Sequence, residues 1–212
     1  MTAKQASEIL NKSKPSCIIR EHIRSKTDDK TVRSVWKRAC EKLAGIHGRY
    51  PEIPKAEQMH TTAIFNTAAI YLALKEVVPE RAAELIEGGM ADYAEKKAKS
   101  FQRMCRFPFG KTLFMKVFAF GVKTAFGKKA GFAQSIHTAD RKMLRFDVLK
   151  CPYVNYLTAL GCADIAHLFC ENDIYCYGHL DGIVFERTQT LGTGGEKCDF
   201  YLHRQKLTKN SS

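Results

Sequence analysis

The chain has 212 residues, of which 45% are hydrophobic, and this suffices for one packed domain. Its formal charge of +12 is spread along the sequence, and no zinc-finger, RNA-recognition or phosphate-loop signature accompanies it, so nucleic acid is not an expected partner. We expect a solvated basic surface that attracts a small anionic substrate and allows a homo-oligomer.

No secretory signal is recognised, because residues 1–5 are polar and predict the start of a helix. Residues 107–126 are rich in apolar side chains, but Lys111, Lys116 and Lys123 interrupt them. A membrane span needs roughly 20 mostly apolar residues. We therefore expect a cytoplasmic protein without a membrane partner.

The chain has eight cysteines, and five of them lie between residues 151 and 198. A chain of this size folds without covalent staples, and disulfides are rare in the cytosol. We therefore expect reduced thiols, and we expect no cofactor.

The first 127 residues are predicted to be helical. Their apolar residues recur at helical spacing, and Thr27, Asp28 and Asp29 offer N-terminal caps. Gly88 and Gly89 are expected to weaken the middle of the helix that begins at Pro79. The predicted helices cover residues 30–48, 55–78, a segment from Pro79 onward, and 110–126.

The pattern changes to strands after Gly127. Alternating and turn-forming residues predict the elements in the order strand 131–137, strand 142–149, helix 152–171, strand 183–191 and strand 197–204. The predicted fold class is therefore α+β. An N-terminal helical bundle (1–127) packs on a C-terminal antiparallel four-stranded β-β-α-β-β unit (128–212), and the two are expected to form one compact domain.

Cys151 is the first candidate for chemistry. It follows a predicted strand and precedes Pro152, which suits the first position of a helix, so Cys151 would be the N-cap. Backbone amides and the helix dipole at that end would lower the pKa of the thiol. A small buried residue that ends a strand is the alternative interpretation.

Further candidates lie in the following helix and in the last strand. Cys162, Cys170 and Asp173 fall along one side of the predicted helix, and Asp173 is expected at its C-terminal end, where the dipole disfavours a carboxylate. In the last strand, alternation sends Cys198 to the buried face and Asp199 to the other.

Polar residues on the facing strand complete the candidate site. Arg187 could hold a carboxylate through two hydrogen bonds. We expect Arg187, Thr190, Cys170 and His179 to bind the substrate. A zinc or iron–sulfur site is a competing interpretation, although the spacing is unusual for such a site. Its ligands would come from Cys151, Cys170, Cys176, Cys198, His179 and His203.

These segments also carry a family resemblance. Cys151-Pro-Tyr, Gly161-Cys-Ala-Asp-Ile-Ala, Phe169-Cys-Glu-Asn-Asp, Phe185-Glu-Arg-Thr-Gln-Thr-Leu and Gly194-Gly-Glu-Lys-Cys-Asp-Phe follow one another in the chain. Their order and spacing resemble the L-2-amino-thiazoline-4-carboxylic acid hydrolases. The likeness is firm over about 50 residues and diffuse over the helical part.

The resemblance implies hydrolysis of a cyclic isothiourea to an N-carbamoyl cysteine. Such a reaction needs a nucleophile, an acid and base, and a cation for the substrate carboxylate. Our hypothesis for these roles is that Cys151 is the attacking thiolate or a group that polarises the carbon, with Cys198 as a further catalytic candidate. Asp173 or Asp199 would be base and acid, and Arg187 would hold the carboxylate. A non-catalytic small-ligand sensor and a metal-binding protein stay open as alternatives.

Overall fold

The computed structural model describes residues 1–205. Within them the helices are α1 (Ala3–Lys12), α2 (Lys14–Lys26), α3 (Asp29–Arg49), α4 (Gln58–Val77), α5 (Ala82–Arg106), α6 (Gly110–Thr124), α7 (Pro152–Ala159) and α8 (Ala166–Tyr177). The strands are β1 (Ala133–Ala139), β2 (Met143–Lys150), β3 (Ile183–Glu186) and β4 (Cys198–Arg204).

The strands form one antiparallel sheet in the order β1-β2-β4-β3. The register between the two central strands places Cys198 opposite Val148 and Phe200 opposite Phe146. Helices fill the N-terminal region and the sheet lies in the C-terminal region. The predicted α+β class is therefore confirmed.

Side-chain caps explain where the first three helices begin. Thr2 and Gln5 form a reciprocal capping box at α1, Ser13 accepts from a backbone amide at α2, and Asp28 does the same at α3. Each cap satisfies a backbone N–H that has no partner within its helix. The helical start at residue 3 and the cap at Asp28 agree with the sequence-based expectation.

Gly88 and Gly89 do not weaken α5, which is continuous from Ala82 to Arg106. A Cβ on Gly89 would lie 2.9 Å from the Cα of Ile19, and one on Gly88 would lie 2.3 Å from the His22 ring. The absent side chains therefore let α2 approach α5 closely. Tertiary packing keeps the helix unbroken here despite the low helix propensity of glycine.

Two C-terminal predictions are corrected. The single helix expected over residues 152–171 is two helices, because Gly161 adopts a left-handed conformation (φ 73°) between them. The strand expected over residues 183–191 ends at Glu186. The chain then turns, and a 3₁₀ turn over Leu191–Thr193 leads back to β4.

α6 is buried on one side only. Phe114 and Met115 are buried, whereas Val117 and Phe120 are exposed. No helix within residues 1–205 combines the length and apolar character needed to cross a membrane.

Buried apolar side chains form two clusters. The first belongs to α1–α5 and takes in Leu157 of α7 and Leu168 of α8. The second joins α6, the sheet and the end of α8, with Phe146 and Phe200 among its members. Tyr153 packs against both clusters. The division of the chain at residue 127 stays a prediction.

Candidate active site

A cavity of about 460 Å³ lies between the helical bundle and the sheet. One wall comes from α2, α4, α5 and α6, and the other from α7, α8, β2 and β4. Aromatic and aliphatic side chains cover most of its surface, and a few polar groups interrupt them, as is typical of ligand sites. These polar groups include Asn66, Lys97, Cys151, Cys170, Asp173 and Cys198.

Helix and strand periodicity bring the thiols to this cavity. On α8, Phe169, Cys170, Asp173 and Tyr177 all line it, because residues three, four and seven positions apart share one side of a helix. On β4, alternation directs Cys198 inward, as predicted. The structure therefore brings Cys151, Cys170, Asp173 and Cys198 to one cavity.

Cys170 has the surroundings of a thiolate. The Cys198 thiol, the Thr190 hydroxyl and the backbone N–H of Gly192 face its sulfur, and the Arg187 guanidinium adds positive charge. These groups outweigh burial and lower the pKa of Cys170 well below its ordinary value. A thiolate is the nucleophilic form of cysteine, so these surroundings favour the reactive form of Cys170.

Gly192 allows the chain to approach this sulfur. A Cβ at position 192 would lie 2.7 Å from the Cys170 sulfur and 3.1 Å from the carbonyl oxygen of Ala166. Any larger residue would push the turn away and remove the backbone N–H from the thiolate. The Thr190 oxygen accepts from the backbone N–H of Thr193 at 3.2 Å, which orders the same turn.

Cys198 is the neutral partner of the thiol pair. Its hydrogen bond to Cys170 and its burial raise its pKa well above the ordinary value. The sulfur also accepts a hydrogen bond from the backbone N–H of Leu191 at 3.2 Å. This shift, opposite in direction to that of Cys170, favours the neutral thiol at Cys198.

Cys151 is the N-cap of α7, as predicted, but its pKa moves in the opposite direction to the one expected. Burial raises the pKa of Cys151 to about 11, and the charges of Cys170 and Asp173 add to the effect. The nearby backbone amides of Val154 and Tyr153 lower it by less, and the Cys151 side chain makes no capping hydrogen bond to the helix. At this position desolvation therefore affects the pKa of Cys151 more than the helix N-terminus does.

Asp173 lies within α8 and not at its end, because the helix continues to Tyr177. Arg187 donates to the Asp173 carboxylate at 2.9 Å and to the carbonyl oxygen of Cys170 at 2.9 Å. Burial raises the pKa of Asp173 to about 7, and the negative charge of Cys170 adds to this, whereas Arg187 opposes it. A carboxyl group with this pKa can exchange a proton near neutral pH.

Other predicted residues lie away from the cavity wall. Asp199 accepts hydrogen bonds from the backbone amides of Thr188 and Gln189 at 3.0 and 2.9 Å, which orders the chain after β3. His179 follows α8 and is exposed. Cys162 precedes α8 and is buried in the helical cluster. It therefore does not share one helix side with Cys170 and Asp173, contrary to the prediction.

Several polar residues that line the cavity were missed, and three of those in the helical region bear on ligand binding. Asn66 of α4 is 3% exposed, and neither atom of its amide has a hydrogen-bond partner within residues 1–205. Lys97 of α5 brings a cation. His60 of α4 contacts the Tyr153 hydroxyl at 2.9 Å and the Ala125 carbonyl oxygen at 2.8 Å. The sequence signal that could have identified Asn66 is its position as a polar residue inside the apolar stretch of α4.

The cysteines are described completely and none forms a disulfide. Within residues 1–205, no group of three or more His, Cys, Asp or Glu side chains is arranged to hold a metal ion. The metal alternative therefore has no ligand set in this part of the chain.

Comparison with known proteins gives one match. The family model described as L-2-amino-thiazoline-4-carboxylic acid hydrolase matches residues 57–202, which is well over half of the chain. The matched region runs from just before α4 into β4 and contains every thiol of the cavity. No curated protein and no solved structure matches the chain significantly.

Proposed function

The chain belongs to the L-2-amino-thiazoline-4-carboxylic acid hydrolase family, and on this basis we propose that it opens a cyclic isothiourea of that type with Cys170 as the nucleophile. The substrate carbon carries the ring sulfur, the ring nitrogen and an exocyclic nitrogen. Addition of water at this carbon and departure of the ring sulfur give an N-carbamoyl cysteine.

In the first step the Cys170 sulfur forms a bond to this carbon, and the carbon–sulfur bond of the ring breaks. The departing ring sulfur takes a proton from Asp173. The product of the step is an open-chain isothiourea attached to Cys170. Nucleophilic catalysis of this kind divides one difficult displacement into two easier ones.

In the second step Asp173, now a carboxylate, removes a proton from water as the oxygen adds to the same carbon. The bond to Cys170 breaks, its thiolate returns, and the carbon becomes the carbonyl of a urea group. One water is consumed, and the catalyst regains its starting state. A carboxyl group with a pKa of about 7 suits both roles.

Substrate binding is assigned to the helical wall. The Arg187 side chain is 5% exposed and already donates to Asp173 and to the backbone of Cys170, so we reassign the substrate carboxylate from Arg187 to Lys97. The unpartnered amide of Asn66 offers one donor and one acceptor, which match the acceptor and donor of an amidine edge. Cys151 contributes a neutral thiol to the wall.

The observation that carries this proposal is the set of groups around the Cys170 sulfur. Cys198, Thr190, Gly192 and Arg187 converge on it from β4 and the preceding turn. A cysteine with only a packing role has no need of such a set. Burial raises the pKa of Cys151 instead, which makes Cys170 the better nucleophile.

The test is turnover of L-2-amino-thiazoline-4-carboxylate by matched cysteine variants. Cys170→Ala should reduce kcat at least about 10³-fold, whereas Cys151→Ala should reduce it less than tenfold. Cys176→Ala is the control, because Cys176 is a buried cysteine of the same helix outside the cavity wall. Full activity of Cys170→Ala would remove the covalent mechanism.

A ligand-binding protein without turnover is the second candidate. The supporting observation is the size of the cavity: a pocket of about 150 Å³ accommodates benzene, and this one measures about 460 Å³. Tight binding of an apolar ligand by the wild-type protein, with no product by mass spectrometry, would favour this alternative over the hydrolase.

A further inference from the structure

Exposed large apolar side chains are concentrated at α6 and the turn that precedes it. Phe109 is 88% exposed and Phe120 is 68% exposed. Contiguous apolar surface of this kind marks an interaction site in many proteins. We define the α6 surface by the exposed residues Phe107, Phe109, Leu113, Val117 and Phe120.

Helical spacing puts the three helical members of this surface on one face. Leu113, Val117 and Phe120 are separated by four and three residues, so they form a stripe that points to solvent. Phe114 and Val122 point the other way and are buried. α6 is therefore apolar on both sides, although only one side has a packing partner within residues 1–205.

Phe109 is held outward by an unfavourable backbone conformation. It is the non-glycine residue with positive φ (63°) within residues 1–205. Such a conformation is uncommon for a bulky residue and marks functional positions when it persists. Packing of the ring does not explain it, because the ring is almost wholly in water.

The chain segment that contains this surface carries charge of one sign, although Arg106 pairs with Asp181 from outside the segment. The sequence from residue 96 to residue 139 contains ten basic residues and no acidic one. Lys116 and Lys123 are exposed on α6 itself, and their positions flank the apolar stripe. The basic residues of this segment are Lys96, Lys97, Lys99, Arg103, Arg106, Lys111, Lys116, Lys123, Lys128 and Lys129.

We propose that the α6 surface docks on an anionic lipid bilayer, with α6 lying in the plane of the interface. Exposed aromatic and aliphatic side chains enter the boundary between headgroups and acyl chains, while flanking lysines contact anionic headgroups. The helix lies on the membrane and does not cross it. This proposal does not depend on the hydrolase activity.

Two other occupants fit the surface less well. A second copy of the chain would bring two strongly basic segments together, and like charges oppose such a contact. A nucleic acid would pair with the lysines but would leave Leu113 and Val117 in water. A bilayer with anionic headgroups satisfies both the charge and the apolar stripe.

The experiment is cosedimentation of the full chain with vesicles of phosphatidylcholine alone or with 30% phosphatidylglycerol, about as anionic as cytoplasmic leaflets are. Binding should require the anionic lipid and weaken as salt is raised. Phe120→Asp combined with Phe109→Asp should lower the partition coefficient at least tenfold. Lys116→Glu combined with Lys123→Glu should act in the same direction.

Matched controls carry the same change in charge at other exposed positions. Ile174→Asp combined with Leu149→Asp tests two half-exposed apolar residues outside the surface, and Lys4→Glu combined with Lys37→Glu tests two lysines outside it. All variants change exposed residues, and circular dichroism and thermal unfolding check that they fold.

Three outcomes would overturn the proposal. The first is equal binding by the wild-type protein and the Phe variants, or no binding to either vesicle. The second is a dimer, measured by sedimentation, that Phe120→Asp dissociates. The third is that the protein binds duplex DNA and not vesicles, and that only the Lys variants weaken the binding to DNA.

Discussion

Arg187 donates to the carboxylate of Asp173 at a distance of 2.9 Å. The same guanidinium lies over the rings of Phe185 and Phe200, with its carbon 5.6 and 5.4 Å from their centres. It therefore ties the chain after β3 to α8 while it supplies positive charge near Cys170. In this account Arg187 positions and charges the site, and it leaves the substrate to other residues.

Arg187→Gln should destabilise the fold, because it leaves Asp173 without its ionic partner. Breaking a largely buried ion pair costs roughly 3 kcal/mol. The loss should be smaller at pH 5 than at pH 8, since the pKa of Asp173 is raised to about 7 and its carboxyl is neutral at the lower pH. Urea unfolding at both pH values measures this. Arg187→Lys keeps the charge and should lose less of the free energy of unfolding. Equal losses for Arg187→Gln at both pH values would contradict the raised pKa of Asp173.

Gly192→Ala should impair the thiolate without unfolding the protein. The added methyl group would lie 2.7 Å from the Cys170 sulfur, so the turn has to move and the backbone N–H loses its contact. We expect the pKa of Cys170 to rise and kcat to fall at least about tenfold. Gly121→Ala is the control, because a Cβ there meets nothing within 4 Å. A Gly192→Ala enzyme with an unchanged thiol pKa would show that the amide contact has no effect.

Asn66→Leu should raise stability and weaken substrate binding. The amide of Asn66 is buried without a partner, and an unsatisfied buried polar group costs about 1–3 kcal/mol. Leucine has a similar shape and removes that cost. Thermal unfolding should therefore show a higher Tm, and KM for the amidine substrate should increase. A lower Tm together with an unchanged KM would mean that the amide serves the fold and not the substrate.

His60 should make stability depend on pH. Burial lowers its pKa in the folded state, whereas the unfolded chain binds a proton at the ordinary value of about 6.5. Burial of neutral His60 therefore carries no protonation cost above pH 6.5, and the free energy of unfolding falls as the pH drops below that value. The contribution of this one proton to the slope has an upper bound of roughly 1.4 kcal/mol per pH unit. The free energy of unfolding of His60→Gln, measured from pH 7.5 to 5, should decline less steeply than that of the wild type.

Local patterns predicted much of the fold. Alternation in the last strand correctly oriented Cys198 and Asp199, and Pro152 correctly indicated a helix that begins after Cys151. Gly161 was the cue for the break between α7 and α8, but a glycine in an otherwise helical pattern does not by itself require a positive φ.

The ionisation of the thiols could not be read from local sequence. The pKa of Cys170 depends on Thr190 and Gly192, which lie about 20 residues away and return to α8 only in the folded chain. The pKa of Cys151 depends on burial, which requires the helical wall of the cavity. Sequence context favoured Cys151 because the helix N-terminus is a local feature, whereas desolvation is not.

Mapping the reactive thiol tests the central claim most directly. The native protein is treated briefly with iodoacetamide across pH 5 to 9, and peptide mass spectrometry identifies the modified cysteine at each pH. We expect Cys170 to react first, with a rate that rises at a pH well below the ordinary pKa of cysteine, while Cys151 and Cys198 stay unmodified at pH 7. Preferential modification of Cys151 at pH 7, with Cys170 unreactive below pH 8, would contradict this assignment.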